Sequence, residues 1–237
     1  MSFLKAEWRK LALANYVIDP ELLKPFLPFG TELDFWNNQS YVSLVGFMFQ
    51  NTRLLGLKIP YHIDFEEVNL RFYVKRNSAE GTKRGVVFIK EIVPKPALTF
   101  VANTIYKENY ETMPMNHSWV AFQDSQEIEY RWRKKEKWNR FKVWAGTEEE
   151  SQDAGSESEF ITEHYWGYAR ISEKETMEYE VTHPKWKVFS VNNYEIDVDF
   201  GAVYGQTWAF LKDQKPFSVM LAEGSEITVE KNNKLTG

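Results

Sequence analysis

An acid, an amide and a guanidinium recur at every second position in FEEVNLRFYVK, as Glu67, Asn69 and Arg71. A carboxyl group gives or takes a proton, and a guanidinium holds a carboxylate, phosphate or enolate oxygen in its planar fork. A period of two belongs to a β-strand, whose successive side chains point to opposite faces. These three residues and Tyr73 therefore share one face, while Val68, Leu70, Phe72 and Val74 share the other. Glu67 and Arg71 lie roughly 13 Å apart at the Cα level, so they need not pair directly. Two arrangements meet the pattern: a face solvated above an apolar core, or the inner wall of a barrel wide enough to hold a ligand. The pattern alone leaves both open.

Other reactive residue types form no familiar motif. The four histidines, His62, His117, His164 and His183, are far apart without metal-ligand spacing, and the chain has no cysteine. Disulfides and thiol nucleophiles are excluded, and neither a metal site nor a cofactor is expected. No glycine-rich phosphate loop, nucleophile elbow or zinc-protease motif occurs. The run RWRKKEKWNR (131–140) combines six basic residues with two tryptophans. It reads as a solvated hairpin tip, with the six acids between Glu148 and Glu159 as ion partners, and not as a nucleic-acid surface. His183 in THPKW follows a strand and is suited either to proton transfer or to capping a turn.

The elements that must position these groups are mostly strands. A chain of 237 residues that is 43% hydrophobic and 16% aromatic can build one substantial core, and one domain over 1–237 is expected. A net charge of -5 speaks against nucleic-acid and anionic-membrane partners. The chain offers neither a signal-like N-terminus nor an apolar run of roughly 20 residues, so a soluble cytoplasmic protein is expected. Period-two alternation marks strands at 40–49, 68–74, 85–92, 98–106, 128–133, 141–146, 160–170 and 177–183, joined as a meander of antiparallel hairpins. One short helix is signalled by IDPELLKPFLP, with Asp19 as N-cap and Pro20 at its first position, and a second around 106–115. The acidic stretch 147–159 reads as a mobile loop.

The succession YVIDPELLKPFLPFGTELD, SYVSLVGFMF, FEEVNLRFYV, GVVFIKEI, FITEHYWGYA and VTHPKWKV resembles the YqjF-like, or DUF2071, family of uncharacterised bacterial proteins, over residues from about 8 to about 200. That family is distantly similar to acetoacetate decarboxylase. The resemblance implies a mainly β, acetoacetate-decarboxylase-like antiparallel β-barrel or sheet with a few short helices, and it turns the 67/69/71 face toward a cavity. It also implies which chemistry is lost. Asn109, Tyr110 and Glu111 stand where the decarboxylases carry Pro-Lys-Lys, and neither Lys95 nor Lys107 occupies the matching position. Val17 replaces an arginine, whereas Glu67 resembles the decarboxylases' active-site glutamate.

The expected site is therefore an aromatic-lined pocket holding a small organic molecule, anionic or carbonyl-containing. Glu67 is the candidate catalytic acid/base. Asn69, Arg71, Tyr106, Tyr110 and His183 are the candidate ligand-binding residues, with Trp166 and Trp186 as core or pocket walls. Binding alone and general acid/base chemistry on a carbonyl or carboxylate compound are both consistent with this set.

Overall fold

The computed structural model describes residues 2–150 and 152–237. Among these residues fourteen strands follow one another: β1 (Leu4–Ile18), β2 (Glu32–Leu33), β3 (Ser40–Leu54), β4 (Phe65–Ser78), β5 (Gly81–Val93), β6 (Tyr110–Thr112), β7 (Met115–Ala121), β8 (Ser125–Lys134), β9 (Lys137–Glu150), β10 (Trp166–Arg170), β11 (Glu175–Thr182), β12 (Val188–Asp197), β13 (Ser218–Val229) and β14 (Asn233–Thr236). Three short helices interrupt them: α1 (Pro96–Val101), α2 (Glu157–Thr162) and α3 (Phe200–Tyr204). The expected mainly β class holds.

Pairing runs β11–β10–β5–β4–β3–β1–β13, and a further contact of β11 with β13 closes these strands into a barrel-like ring. From β13 the sheet continues outward through β12, β9, β8 and β7. The ring is not a pure antiparallel meander, because β10 and β6 both pair parallel with β5. Each parallel neighbour is reached through a connection containing α1 or α2, as parallel pairing requires a crossover.

Both faces of β4 are buried, which accounts for its unbroken apolar content on one side. Val68, Leu70, Phe72 and Val74 belong to an outer core with Ile128, Tyr130 and Trp132 of β8 and Phe141 and Val143 of β9. Phe65 and Tyr73 belong to an inner core with Phe47, Phe49, Val86, Tyr179 and Trp186. Outer packing is close enough that a Cβ on Gly46 of β3 would lie 2.7 Å from the Tyr130 ring, so only glycine fits beneath it.

Several local expectations are corrected. Residues 98–106, expected as a strand, form α1 and a π-helical turn over Ala102–Tyr106, started by Pro96 at the first helical position. The helix expected at 106–115 is absent there; Lys107 takes a left-handed conformation that stops the turn, and β6 follows. The single strand expected over 160–170 is the end of α2 followed by β10, because the Ser156 hydroxyl caps α2 through the Glu159 amide at 3.2 Å. The helix at IDPELLKPFLP is two 3₁₀ turns, Pro20–Leu22 and Lys24–Phe26, with Asp19 capping the first as expected. Pro25 at the start of the second turn breaks any longer run. Of the acidic stretch 147–159, the first residues extend β9 and the last begin α2, while Ser151 lies outside the described residues. The basic hairpin pairs instead with Glu129, Glu111, Asp197 and Glu195.

Candidate functional site

The ring encloses a cavity of about 230 Å³. Glu67, Asn69, Arg71, Tyr106, Tyr110 and His183 all line it, as do Trp166 and Trp186. The polar face of β4 therefore points inward. Its apolar surroundings come from Trp8, Phe47, Phe49, Phe65, Phe88 and their neighbours, with Trp8 edge-on to Phe47 and Phe49 and Phe49 stacked on Phe65 at 4.7 Å.

Three carboxyl groups meet at one end. Glu67 accepts from Asn69 Nδ2 at 2.9 Å and from the Tyr110 hydroxyl at 3.1 Å. Glu108 accepts from the Tyr179 hydroxyl at 2.7 Å. Glu91, 2% exposed, pairs in register with Asn69, and its Oε2 has no partner among the described residues. Burial pushes Glu67 up to about 7, against the opposing pull of Asn69, Tyr110 and Arg71. Burial, opposed by Tyr179 and reinforced by Glu67, raises Glu108 to about 8. Glu91 is raised well above the usual carboxylate range by burial and then by Glu108 and Glu67. Burial and mutual repulsion thus favour the protonated forms of all three, and a protonated carboxyl can donate a hydrogen bond where an ionised one only accepts.

Glu91 and Glu108 escaped sequence reading for separate reasons. Strict alternation puts Glu91 on the face opposite Val86 and Phe88, but a bulge opposite Leu70 and Arg71 shifts the phase and turns Glu91 inward with both. Glu108 is aimed by the left-handed Lys107 before it, which no alternation signals.

Arg71 is 7% exposed and has no ion pair among the described residues. Its polar contact is one Nη2 bond to the Ile161 carbonyl at 3.4 Å, its guanidinium lies 5.7 Å from the Tyr73 ring, and its Nε has no partner. His164, also missed, lines the cavity beside it. His183 stacks on Trp186 at 4.1 Å and donates from Nδ1 to the Pro184 carbonyl at 2.9 Å; burial lowers its pKa, opposed by that bond. Tyr106 packs edge-on to Tyr179 at 5.1 Å. Lys95 and Lys107 are not on the cavity wall, and no other described lysine is. No cluster of metal-binding side chains occurs among the described residues, and no described helix is long and apolar enough to cross a membrane.

The barrel-like ring is the fold of acetoacetate decarboxylase-like proteins. The fold is similar to acetoacetate decarboxylase from Legionella pneumophila subsp. pneumophila str. Philadelphia 1 (TM-score 0.68, 12% identity, 98% of this chain and 87% of that one). It is similar also to the enduracididine biosynthesis enzyme MppR (0.71, 10%, 100% and 90%) and to an acetoacetate decarboxylase-like enzyme from Sphingomonas wittichii RW1 (0.67, 10%, 100% and 94%). At such identities the likeness is one of fold. The chain belongs to the DUF2071 family of uncharacterized conserved proteins, whose model matches residues 5–226. Among curated proteins it resembles the uncharacterized protein YqjF of Bacillus subtilis (strain 168), 33% identical over 79 residues, a span of 33% of either chain.

Proposed function

We propose that the protein binds a small, largely apolar organic molecule inside the ring and holds its carboxylate or carbonyl oxygen on Arg71. The carrying observation is the buried Arg71 guanidinium in the cavity wall, which has no ion pair among the described residues. A buried charge without a counterion is costly, and an anion from solution would relieve that cost. Burial favours the neutral forms of the neighbouring Glu67, Glu91 and Glu108, so they compensate the Arg71 charge less than ionised acids would. The fold relative MppR is known in complex with pyruvate, a small keto acid, which agrees with a ligand of this size and charge.

Thermal denaturation in the presence of small carboxylates and keto acids tests this. A ligand at a hundredfold excess over its Kd should stabilise the fold by about 2.7 kcal/mol, and Arg71→Met should lose the response. Failure of every such compound, or an unchanged response in Arg71→Met, would sink the reading.

A second reading is favoured by Glu67 alone. Its pKa of about 7 and its bond to Tyr110 suit a general acid/base acting on a carbonyl or carboxylate compound. Glu67→Gln should then abolish turnover of a ligand found in the screen while leaving its binding intact. Unchanged turnover would reject that role.

A further inference from the structure

The cavity opens at one end of the ring. Of the described residues that line it, only Ile59, in the connection from β3 to β4, and Ala97, in α1, are exposed. The mouth therefore lies between residues 55–64 and α1 with the π-helical turn that follows it. Both of its sides are apolar on the outside. Leu55, Leu57, Ile59 and Tyr61 on one side and Phe100 and Ile105 on the other are all exposed, Tyr61 to 87% and Phe100 to 71%. The two sides are tied together: the Leu55 amide donates to the Phe3 carbonyl at 2.9 Å, and the Phe3 ring lies 4.9 Å from that of Tyr106 at the end of the π-helical turn.

Single exposed apolar residues are ordinary on a protein surface, whereas a contiguous group marks a site of interaction. The backbone is strained to display this one: Leu55 and Tyr61 have φ of 50° and 65°, a left-handed conformation that bulky side chains seldom take. Cations surround the group. Lys58 stands between Leu57 and Ile59, and Lys5 and Arg53 pair in register at the adjoining ends of β1 and β3. Lys107 follows the π-helical turn, and Lys231 precedes Asn232, whose side chain donates to the Ile105 carbonyl at 3.0 Å. None of these five has an ion pair among the described residues. The flanking acids are engaged: Asp64 accepts from the Asn51 amide at 2.9 Å, Glu66 binds His117 at 2.7 Å, and Glu230 accepts from the Thr228 hydroxyl at 3.3 Å. A net charge of -5 is an average over the chain, and at the mouth cations outnumber acids.

We infer that the protein docks this mouth on an anionic lipid surface, with the exposed apolar side chains sunk into the interface, the cations on the headgroups and the cavity opening toward the acyl chains. Buried apolar area and attraction to anionic headgroups are the two forces that hold a protein at a membrane interface, and the mouth offers both side by side. A protein docked in this way exchanges an apolar molecule with the bilayer without passing it through water. The inference goes beyond the anion-binding reading and does not depend on what Arg71 holds.

Flotation of the full chain with vesicles tests it. The protein should float with vesicles of phosphatidylcholine and phosphatidylglycerol in equal parts, and not with phosphatidylcholine alone. Leu57→Ser with Phe100→Ser should abolish flotation. Lys58→Glu with Lys107→Glu should weaken it by about tenfold or more, since each cation near such a surface contributes about fivefold. These side chains are exposed, so the variants should melt as the wild type does. Because the chain has no cysteine, Leu57→Cys and Phe100→Cys each take a single nitroxide, which should turn more accessible to oxygen and less to a polar relaxation agent with the anionic vesicles. A label on Glu80→Cys, in the hairpin at the far end of β4, should not respond. Absent flotation, equal flotation with both lipids, flotation unchanged by the apolar pair of substitutions, or silent labels at 57 and 100 would overturn the inference. So would lipid-free dimers that the same pair dissociates, since a second copy of the chain would then cover the mouth.

Discussion

Asn69 on β4 and Glu91 on β5 stand directly opposite each other, and each has one oxygen without a partner, Oδ1 and Oε2. Residues paired in this way hold their Cβ atoms about 5 Å apart. Two bare acceptors at that separation are compatible only while the carboxyl keeps its proton. Glu91→Gln should therefore cost little at pH 5 and stabilise the fold at pH 8 by about 1 kcal/mol or more, since each unit of pKa elevation is worth about 1.4 kcal/mol. Urea denaturation at the two pH values measures this, and a destabilised variant at pH 8 would contradict it.

The same logic gives the whole protein an unusual pH profile. Glu67, Glu91 and Glu108 face one another with Tyr110, Tyr179 and Arg71 around them, and all three acids have folded-state pKa values above the unfolded value of 4.5. The folded state binds more protons, so their contribution is fully present below pH 4.5 and is lost as pH rises through about 7 and 8. Glu66 and Glu111 act oppositely: burial opposes them, but His117 and the lysines 90 and 134 hold them low, so their contribution is lost as pH falls below 4.5. Stability should peak on the acid side of neutrality. A melting temperature still rising between pH 7 and pH 9 would refute the assignment.

Arg71→Met, a change of similar volume, removes an unpaired buried charge. The apo fold should gain about 1–3 kcal/mol, in the range found when buried ions give way to apolar side chains. Loss of anion binding should accompany the gain. Chemical denaturation and calorimetry on the same sample would show whether the two effects travel together.

Gly167 on β10 lies under the Tyr179 ring, where a Cβ would fall 2.1 Å from Tyr179 Cζ. Gly167→Ala must displace that ring and with it the bond to Glu108. A loss of about 1–3 kcal/mol is expected from overpacking, and Glu108, without its donor, should hold its proton to still higher pH. Carbon NMR of the glutamate carboxyls would follow that second effect.

With no described lysine on the cavity wall, borohydride reduction in the presence of pyruvate or acetoacetate should leave the mass of the protein unchanged. A stable lysine adduct would restore the amine chemistry of the decarboxylases.

Much of this site was legible in FEEVNLRFYVK, because a strand of strict period two keeps Glu67, Asn69 and Arg71 together wherever it packs. Whether that face looked inward was not, since a solvated strand has the same pattern, and only the family resemblance favoured the cavity. Glu91 was hidden by a bulge, Glu108 by one left-handed residue, and His164 by the short connection after α2. Asp34 and His164 meet across 130 positions of sequence, a distance no local period spans. β1 went unrecognised over Leu4–Ile18 because register breaks at Lys5/Glu7 and Arg9/Ala12 interrupt its alternation.

The ring is joined very unevenly. β1 and β13 share eleven residue pairs, whereas β11 and β13 meet at two, Val181 with Val229 and Thr182 with Thr228. Val181 and Val229 are also part of the cavity wall. The structure thus has a seam: two rungs can part in a local fluctuation far smaller than unfolding, while the long strand pairs stay intact.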